Sequence, residues 1–154
     1  TDAITIEVWV NPAVDLPSGC SPNIYQNIVN NYTWWGPWSI ILECGMVIKF
    51  SASEDYPEGS ARRVNESTKT IKAGKWSHIV LSADRNRMRG YIDGRLVTEV
   101  TSPVINGIGT TTSSHILLPL DTIYVGRQGT GGWHFKGMID NLRVYRGVLD
   151  EYPN

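Results

Sequence analysis

Apolar and polar residues alternate through the first strand-like segment of the chain. Ile4, Ile6, Val8 and Val10 are separated by single residues, and this period of two is typical of a β-strand with one buried face. Other segments share this pattern and are bounded by turn residues. We therefore predict further strands at residues 39–43, 46–51, 76–83, 88–92, 95–100, 122–127 and 136–145.

Short turns, rather than helix caps, separate these segments. Asp93-Gly94 is the sharpest signal, because a two-residue hairpin turn needs positive φ angles and favours this pair. Many short strands at this spacing predict an all-β antiparallel sandwich or barrel. The 154 residues contain no repeat and no long interior linker, so we predict a single domain over residues 1–154.

Net charge, hydropathy and cysteine content indicate which partners and which cellular location the chain favours. The net charge is −1, which provides no general attraction for nucleic acid, and no apolar run approaches the length of a membrane span. Cys20 and Cys44 allow one disulfide, with two buried free thiols as the alternative. Asn31-Tyr32-Thr33 and Asn65-Glu66-Ser67 are glycosylation acceptor triplets. We expect a secreted or cell-surface protein that neither binds nucleic acid nor inserts into membranes.

Several segments resemble strand motifs of the laminin-G-like, concanavalin A-like jelly rolls. They occur in the family's order and cover nearly the whole chain. The resemblance implies an antiparallel two-sheet jelly-roll β-sandwich that acts as a carbohydrate-binding module, a lectin or an adhesion domain. The motifs are ITIEVWVNP (4–12), GKWSHIVL (74–81) with YIDGRLV (91–97), IYVGR (123–127) and FKGMIDNLRVY (135–145).

One departure from the family concerns the amino-terminal edge. Such domains usually have one more strand before the one that starts at Ile4, so we expect an excised part of a larger enzyme or surface protein, or another segment at that edge. The resemblance also implies a structural Ca²⁺ ion at the rim, with Asp140 at a ligand position. The alternative for Asp140 is a carboxylate that accepts backbone hydrogen bonds.

The distribution of carboxylates argues against hydrolysis. Jelly-roll glycoside hydrolases similar to laminarinase carry a Glu-x-Asp-x-x-Glu strand, and two carboxylates must share one cleft for that chemistry. No predicted strand carries this motif, and Glu54-Asp55 are adjacent, hence on opposite faces if extended. We therefore expect no enzymatic activity. A jelly-roll polysaccharide lyase that uses dispersed Arg, His and Tyr residues is the less favoured alternative.

The aromatic residues give the positive indication of a binding site. Six Trp and seven Tyr stand against two Phe, and such rings offer flat apolar faces together with polar tips. We predict a non-catalytic domain that recognises a poly- or oligosaccharide through aromatic loop residues; the alternatives are rings that cap the core and a protein-interaction or adhesion domain. Trp9 and Trp76, within strand motifs, are interpreted as structural. The candidate ligand-binding residues are Tyr32, Trp34, Trp35, Trp38, Arg127, Trp133 and His134.

Overall fold

The computed structural model describes residues 3–21, 24–31, 38–53, 62–84, 87–101, 122–129 and 131–148, and nearly all of their regular structure is β-strand. One short 3₁₀ turn, Cys44–Met46, separates the third and fourth strands. The strands are β1 (Ala3–Pro12), β2 (Gln26–Asn31), β3 (Trp38–Leu42), β4 (Val47–Ser53), β5 (Arg62–Thr70), β6 (Ser77–Asp84), β7 (Arg87–Ile92), β8 (Arg95–Thr101), β9 (Ile123–Val125) and β10 (Gly137–Arg146).

The strands form two antiparallel sheets of five. Sheet A has the order β10-β1-β6-β7-β8, and sheet B has the order β5-β4-β3-β2-β9. These two antiparallel five-stranded sheets confirm the predicted two-sheet β-sandwich. The described residues include no helix that is long and apolar enough to span a membrane.

The buried apolar residues of the described ranges form one hydrophobic core between the two sheets. Ile4, Ile6, Val8 and Val10 of β1 are all buried in it, as the period-two pattern predicts. Ile40, Leu42 and Phe50 belong to the same core from sheet B. Because successive side chains of a strand point to opposite faces, the residues between these core residues lie on the side of the sheet away from the core.

Two strands lie outside the predicted set. In β2, a bulge between Asn27 and Val29 interrupts the register with β3, and the consecutive residues Ile28 and Val29 both join the core. The bulge therefore removes the period-two pattern. The other strand, β5, is an edge strand of sheet B with mostly polar residues. An edge strand of this composition gives no apolar periodicity to detect.

Two local predictions are confirmed. Asp93 and Gly94 both have positive φ, at 51° and 75°, and they join β7 to β8. Cys20 and Cys44 form a disulfide with a Cα–Cα distance of 5.5 Å, so the alternative of two free thiols is wrong. Asn31, the acceptor of the first glycosylation triplet, is buried within β2, which does not fit a glycan at that position.

Candidate functional site

The side of sheet B that faces away from the core carries the candidate site, and we call it the polar face. Trp38, Ile40 and Leu42 of β3 point into the core, so Ser39 and Ile41 face outward. The register then aligns two rows across the strands on this side. The rows are Asn30, Ser39 and Ser51, and Asn27, Ile41, Lys49 and Glu66.

The bulge in β2 places Asn27 and Asn30 on this same face. Because Ile28 and Val29 both turn toward the core, the residues on either side of them become outward-facing neighbours along the strand. Asn30 donates from Nδ2 to the Arg127 carbonyl oxygen at 2.8 Å. A carbonyl oxygen only accepts, so this bond fixes the orientation of the amide and makes Oδ1 its remaining acceptor.

These two amides are buried without full hydrogen bonding. Asn27 is 2% exposed and Asn30 is 1% exposed. Within the described part of the chain, neither Asn27 Nδ2 nor Asn30 Oδ1 has a hydrogen-bond partner. A buried polar atom left unpaired costs about 1–3 kcal/mol, and among the described residues Asn31 Nδ2, Trp38 Nε1 and Thr98 Oγ1 are unpaired in the same way.

Trp133 adjoins the polar face in a strained conformation. Its φ is +49°, a region that bulky residues rarely adopt and that costs on the order of 1–3 kcal/mol. Its carbonyl oxygen accepts the Asn27 N–H at 2.9 Å, and its ring meets Tyr25 edge to face. Strain of this kind concentrates at binding sites, so the conformation of Trp133 supports a functional role for its ring.

Lys49 forms ion pairs with two carboxylates, those of Glu43 and Glu66. Lys49 Nζ lies 2.6 Å from Glu43 Oε1 and 3.8 Å from Glu66 Oε1, and it stands over the Tyr25 ring at 5.6 Å. Burial raises the pKa of the Glu43 carboxyl above 4.5, an effect that the Lys49 ammonium only partly offsets. The Lys49–Glu43 ion pair therefore lies against the Tyr25 ring.

The predicted ligand-binding role of Trp38 is corrected by the structure. Its side chain is 0% exposed and belongs to the hydrophobic core. Trp38 begins β3 with its ring on the same side as Ile40, which the alternation of the strand directs inward. The ring therefore has no face open to a ligand, in agreement with the alternative of a ring that caps the core.

The other candidates divide into two groups. Tyr32, Trp34 and Trp35 lie outside the described residues. Arg127 and Trp133 flank the polar face through their contacts with Asn30 and Asn27, and His134 is exposed and bridges to Asn27. The Arg127 guanidinium lies over the Tyr124 ring at 5.5 Å.

Sequence reasoning did not identify Tyr25, Asn27 and Asn30 as site residues. The signal available was the density of amides in residues 26–31, QNIVNN, four of which are Asn or Gln. Amides are uncommon inside strands, so their presence in a strand indicates a hydrogen-bonding role. The strand itself was hidden by its bulge.

Trp9 and Trp76 are more exposed than their interpretation as structural residues implies. They are 38% and 44% exposed, and the position of Trp9 opposite the core-facing residues of β1 places it on the outer side of sheet A. The Trp9 ring stacks on His78 with centroids 4.8 Å apart. These two rings belong to the surface and not to the core.

Asp140 matches the alternative suggested for it. Its Oδ1 accepts the Asn141 N–H at 2.7 Å, and its side chain is exposed. Among the described residues, no group of three or more His, Cys, Asp and Glu side chains is placed to hold a metal ion. Calcium binding stays a prediction.

Three solved structures share this fold at low sequence identity. The carbohydrate-binding module of a Ruminococcus gnavus sialidase, bound to α2,3-sialyllactose, is 16% identical with a TM-score of 0.65 over 97% of this chain and 78% of that chain. A Bacteroides ovatus protein described as a possible carbohydrate-binding protein is 17% identical with a TM-score of 0.64, over 96% and 38%. Domain 4 of an extracellular arabinanase from Geobacillus stearothermophilus, in complex with arabinotriose, is 18% identical with a TM-score of 0.61, over 96% and 62%.

A family model agrees with these structural similarities. No protein with a curated description matches the chain. The model of a laminin-G-type family, described as the concanavalin A-like lectin/glucanases superfamily, matches residues 1–152. The order of the strands and the motifs at residues 4–12, 74–81 and 135–145 agree with that match. This chain belongs to the concanavalin A-like lectin/glucanase superfamily.

Proposed function

We propose that this chain is a non-catalytic carbohydrate-binding domain that binds a poly- or oligosaccharide at the edge of the polar face of sheet B. The observation that carries the proposal is Trp133, which is strained, only partly buried and paired with the Tyr25 ring at this edge. Sugars carry hydroxyl groups that both donate and accept hydrogen bonds. They also have apolar CH-rich faces, which pack on rings such as those of Trp133 and Tyr25.

The family match and the solved structures with the same fold support this proposal by analogy. A sialidase module and an arabinanase domain with the same fold were solved with bound oligosaccharides. One fold hosts many functions, so the argument depends on the residues of the polar face. The chain spans 38% and 62% of two of the matched chains, which supports a role within a larger enzyme or surface protein. The disulfide supports a secreted or cell-surface location.

A protein-interaction or adhesion role is the second candidate. It is favoured by large exposed side chains in and next to sheet A, which include Trp9, Trp76 and Met138. Large exposed apolar patches are a feature of protein interfaces. The two candidates use opposite sides of the sandwich, so variants on each side separate them.

The test is binding to a panel of neutral and acidic polysaccharides, with Trp133→Ala as the site variant and Trp76→Ala as its matched control. We expect the wild type and the Trp76 variant to bind the same glycan and the Trp133 variant to bind at least about tenfold more weakly, because aromatic contacts contribute on the order of 1–3 kcal/mol. A folded wild type that binds no glycan would contradict the proposal. An equal loss in both variants would contradict the assignment of the polar face.

Calcium is tested in the same panel. A second set of measurements with a chelator in place of added Ca²⁺ reports whether the ion predicted at Asp140 affects binding. A loss of binding in chelator that Asp140→Asn reproduces would support the predicted ion. Unchanged binding and unchanged thermal stability would contradict it.

A further inference from the structure

We propose that Gln26 is a positioning residue for the glycan site: its buried amide holds the segment that carries Trp133, and so sets the affinity for the glycan without touching it. This inference rests on the proposed function and names a further residue that acts on the same site. Three observations carry it: the strained backbone of Trp133, the hydrogen bonds that restrain the segment after it, and the burial of the Gln26 side chain.

The conformation of Trp133 depends on restraint from its surroundings. Its φ of +49° lies in a region that a bulky residue keeps only where the surrounding structure enforces it. On the amino-terminal side, the Gln128 N–H donates to the Gly132 carbonyl oxygen and the Gly131 N–H donates to the Gln128 carbonyl oxygen, both at 3.0 Å. On the carboxyl-terminal side, residues 134–136 restrain it.

Two main-chain hydrogen bonds attach this segment to sheet B. The Trp133 carbonyl oxygen accepts the Asn27 N–H at 2.9 Å, and the Phe135 N–H donates to the Gly126 carbonyl oxygen at 2.8 Å. Asn27 belongs to β2, and Gly126 directly follows β9. Because both bonds join main-chain atoms, a side-chain substitution leaves their donors and acceptors in place. Neither bond reaches the residue that precedes β10.

Gln26 supplies a restraint at that residue, Lys136. Its Oε1 accepts the Lys136 N–H at 2.8 Å, while the Lys136 carbonyl oxygen accepts the Ala13 N–H at 2.8 Å. Gln26 opens β2, so its side chain links sheet B to the chain that enters β10 of sheet A. Gln26 is 4% exposed and gives a ligand no access, so its effect on binding must pass through the segment that it holds.

Removal of the Gln26 acceptor breaks the link between this segment and β2. The backbone of Trp133 can then relax toward the favoured region, because strain of this kind persists only under restraint. The Trp133 ring would leave its edge-to-face contact with Tyr25, in which the ring centroids are 5.2 Å apart. A displacement of about 1 Å is enough to impair a site whose supporting contacts are lost. Gln26 therefore acts on affinity through the geometry of the ring.

The test compares two substitutions of Gln26 with a matched control. Gln26→Met removes the acceptor and keeps a long unbranched side chain, and Gln26→Glu keeps an oxygen acceptor at the same point. The control is Ser67→Ala, on the edge strand β5 of the same sheet. Ser67 is 7% exposed, and its Oγ accepts the Ile48 N–H at 3.0 Å. The control thus also loses a buried bond between a side chain and the main chain.

Binding is measured with the glycan that the polysaccharide panel identifies, and thermal unfolding checks that each variant is folded. We expect Gln26→Met to bind at least about fivefold more weakly, the equivalent of one hydrogen bond, and Gln26→Glu and Ser67→Ala to stay within about twofold of the wild type. Wild-type affinity in folded Gln26→Met, or an equal loss in Ser67→Ala, would overturn the inference.

Near-ultraviolet circular dichroism reports on the rings without a ligand, because this signal depends on fixed packing of aromatic side chains. We expect Gln26→Met to lose the part of the spectrum that Trp133→Ala loses, and Gln26→Glu and Ser67→Ala to retain it. An unchanged spectrum in folded Gln26→Met would overturn the inference.

Two further outcomes are also decisive. If the wild type binds no glycan, the proposed function fails, while the spectra still decide whether Gln26 positions the Trp133 ring. If Gln26→Met does not fold, Gln26→Glu decides the question: a wild-type spectrum and affinity support the role of the acceptor, and the loss of either one overturns it.

Discussion

Trp133 and Tyr25 meet edge to face, with ring centroids 5.2 Å apart and planes at 83°. This contact joins the segment before β10 to the segment before β2, two parts of the chain more than 100 residues apart. The Lys49 ammonium lies 5.6 Å from the centre of the Tyr25 ring. It also forms an ion pair with the Glu43 carboxylate. A buried ion pair on sheet B thus helps to position an aromatic pair next to the unpaired amides of the polar face.

The strain at Trp133 predicts an unusual order of stability. Trp133→Gly relieves the positive φ, whereas Trp133→Ala retains most of it, so we expect the Gly variant to be about 1 kcal/mol more stable than the Ala variant. Urea unfolding of both variants measures this difference. Both should lose glycan binding, because both lack the ring. An Ala variant more stable than the Gly variant would show that the backbone relaxes once the ring is removed.

Gly90 is required by packing between the sheets. A Cβ atom at this position would lie 2.5 Å from Phe50 Cε2 and 2.7 Å from Thr98 Cγ2. We expect Gly90→Ala to lower the free energy of unfolding by about 1–3 kcal/mol, as overpacked cores do. Gly132→Ala is the matched control, because its Cβ would come no closer than 3.4 Å to a neighbour, the end of the Gln128 side chain. Equal free energies of unfolding for the two variants would contradict this account.

Asp93 predicts a dependence of stability on pH. Its carboxylate accepts the His78 N–H at 2.9 Å and the Lys69 ammonium at 2.8 Å. Burial by itself raises the pKa of Asp93, but these two donors outweigh burial and lower the pKa below its usual 3.8. The stabilisation is therefore present above pH 3.8 and is lost as the pH falls through the lowered pKa.

Comparison with Asp93→Asn isolates this contribution. We expect the wild type to exceed the variant by about 1 kcal/mol at pH 6, discounted for a half-exposed carboxylate, and the difference to shrink toward pH 2. Asn tolerates the positive φ at this position, so the turn is preserved. Urea unfolding across this pH range provides the measurement, and a difference that stays constant with pH would exclude the proposed linkage.

The disulfide predicts a large effect of reduction. Cys20 and Cys44 are 24 positions apart, and closing a loop of that size stabilises a fold by about 3 kcal/mol through the unfolded chain. We expect a Cys20→Ala, Cys44→Ala double variant to lose about this amount of unfolding free energy. Unfolding of the wild type with and without reductant should show the same difference. A loss below about 1 kcal/mol would indicate that the unfolded chain is already compact in this region.

The strands that the sequence predicted share one property: the alternation of apolar and polar residues lies within each strand itself. β1, β6 and β7 each present apolar residues at every second position, and the Asp93-Gly94 turn follows from backbone preferences of two residues. β2 and β5 were missed because a bulge and a polar edge remove that pattern. For the site, Arg127 and Trp133 were predicted and lie beside the polar face, whereas Asn27 and Asn30 were not identified.

The sequence by itself determined the all-β class, the core-facing residues of the regular strands and the family, since each depends on residues close together in the chain. Only the tertiary structure decided that Trp38 is buried while Trp9 is exposed, and that Asn27 and Asn30 share one outward face. The physical reason is that burial and register depend on strands paired from distant parts of the chain. The bulge that turns both amides outward is defined by the pairing of β2 with β3, and the orientation of Asn30 is fixed by a carbonyl 97 residues away.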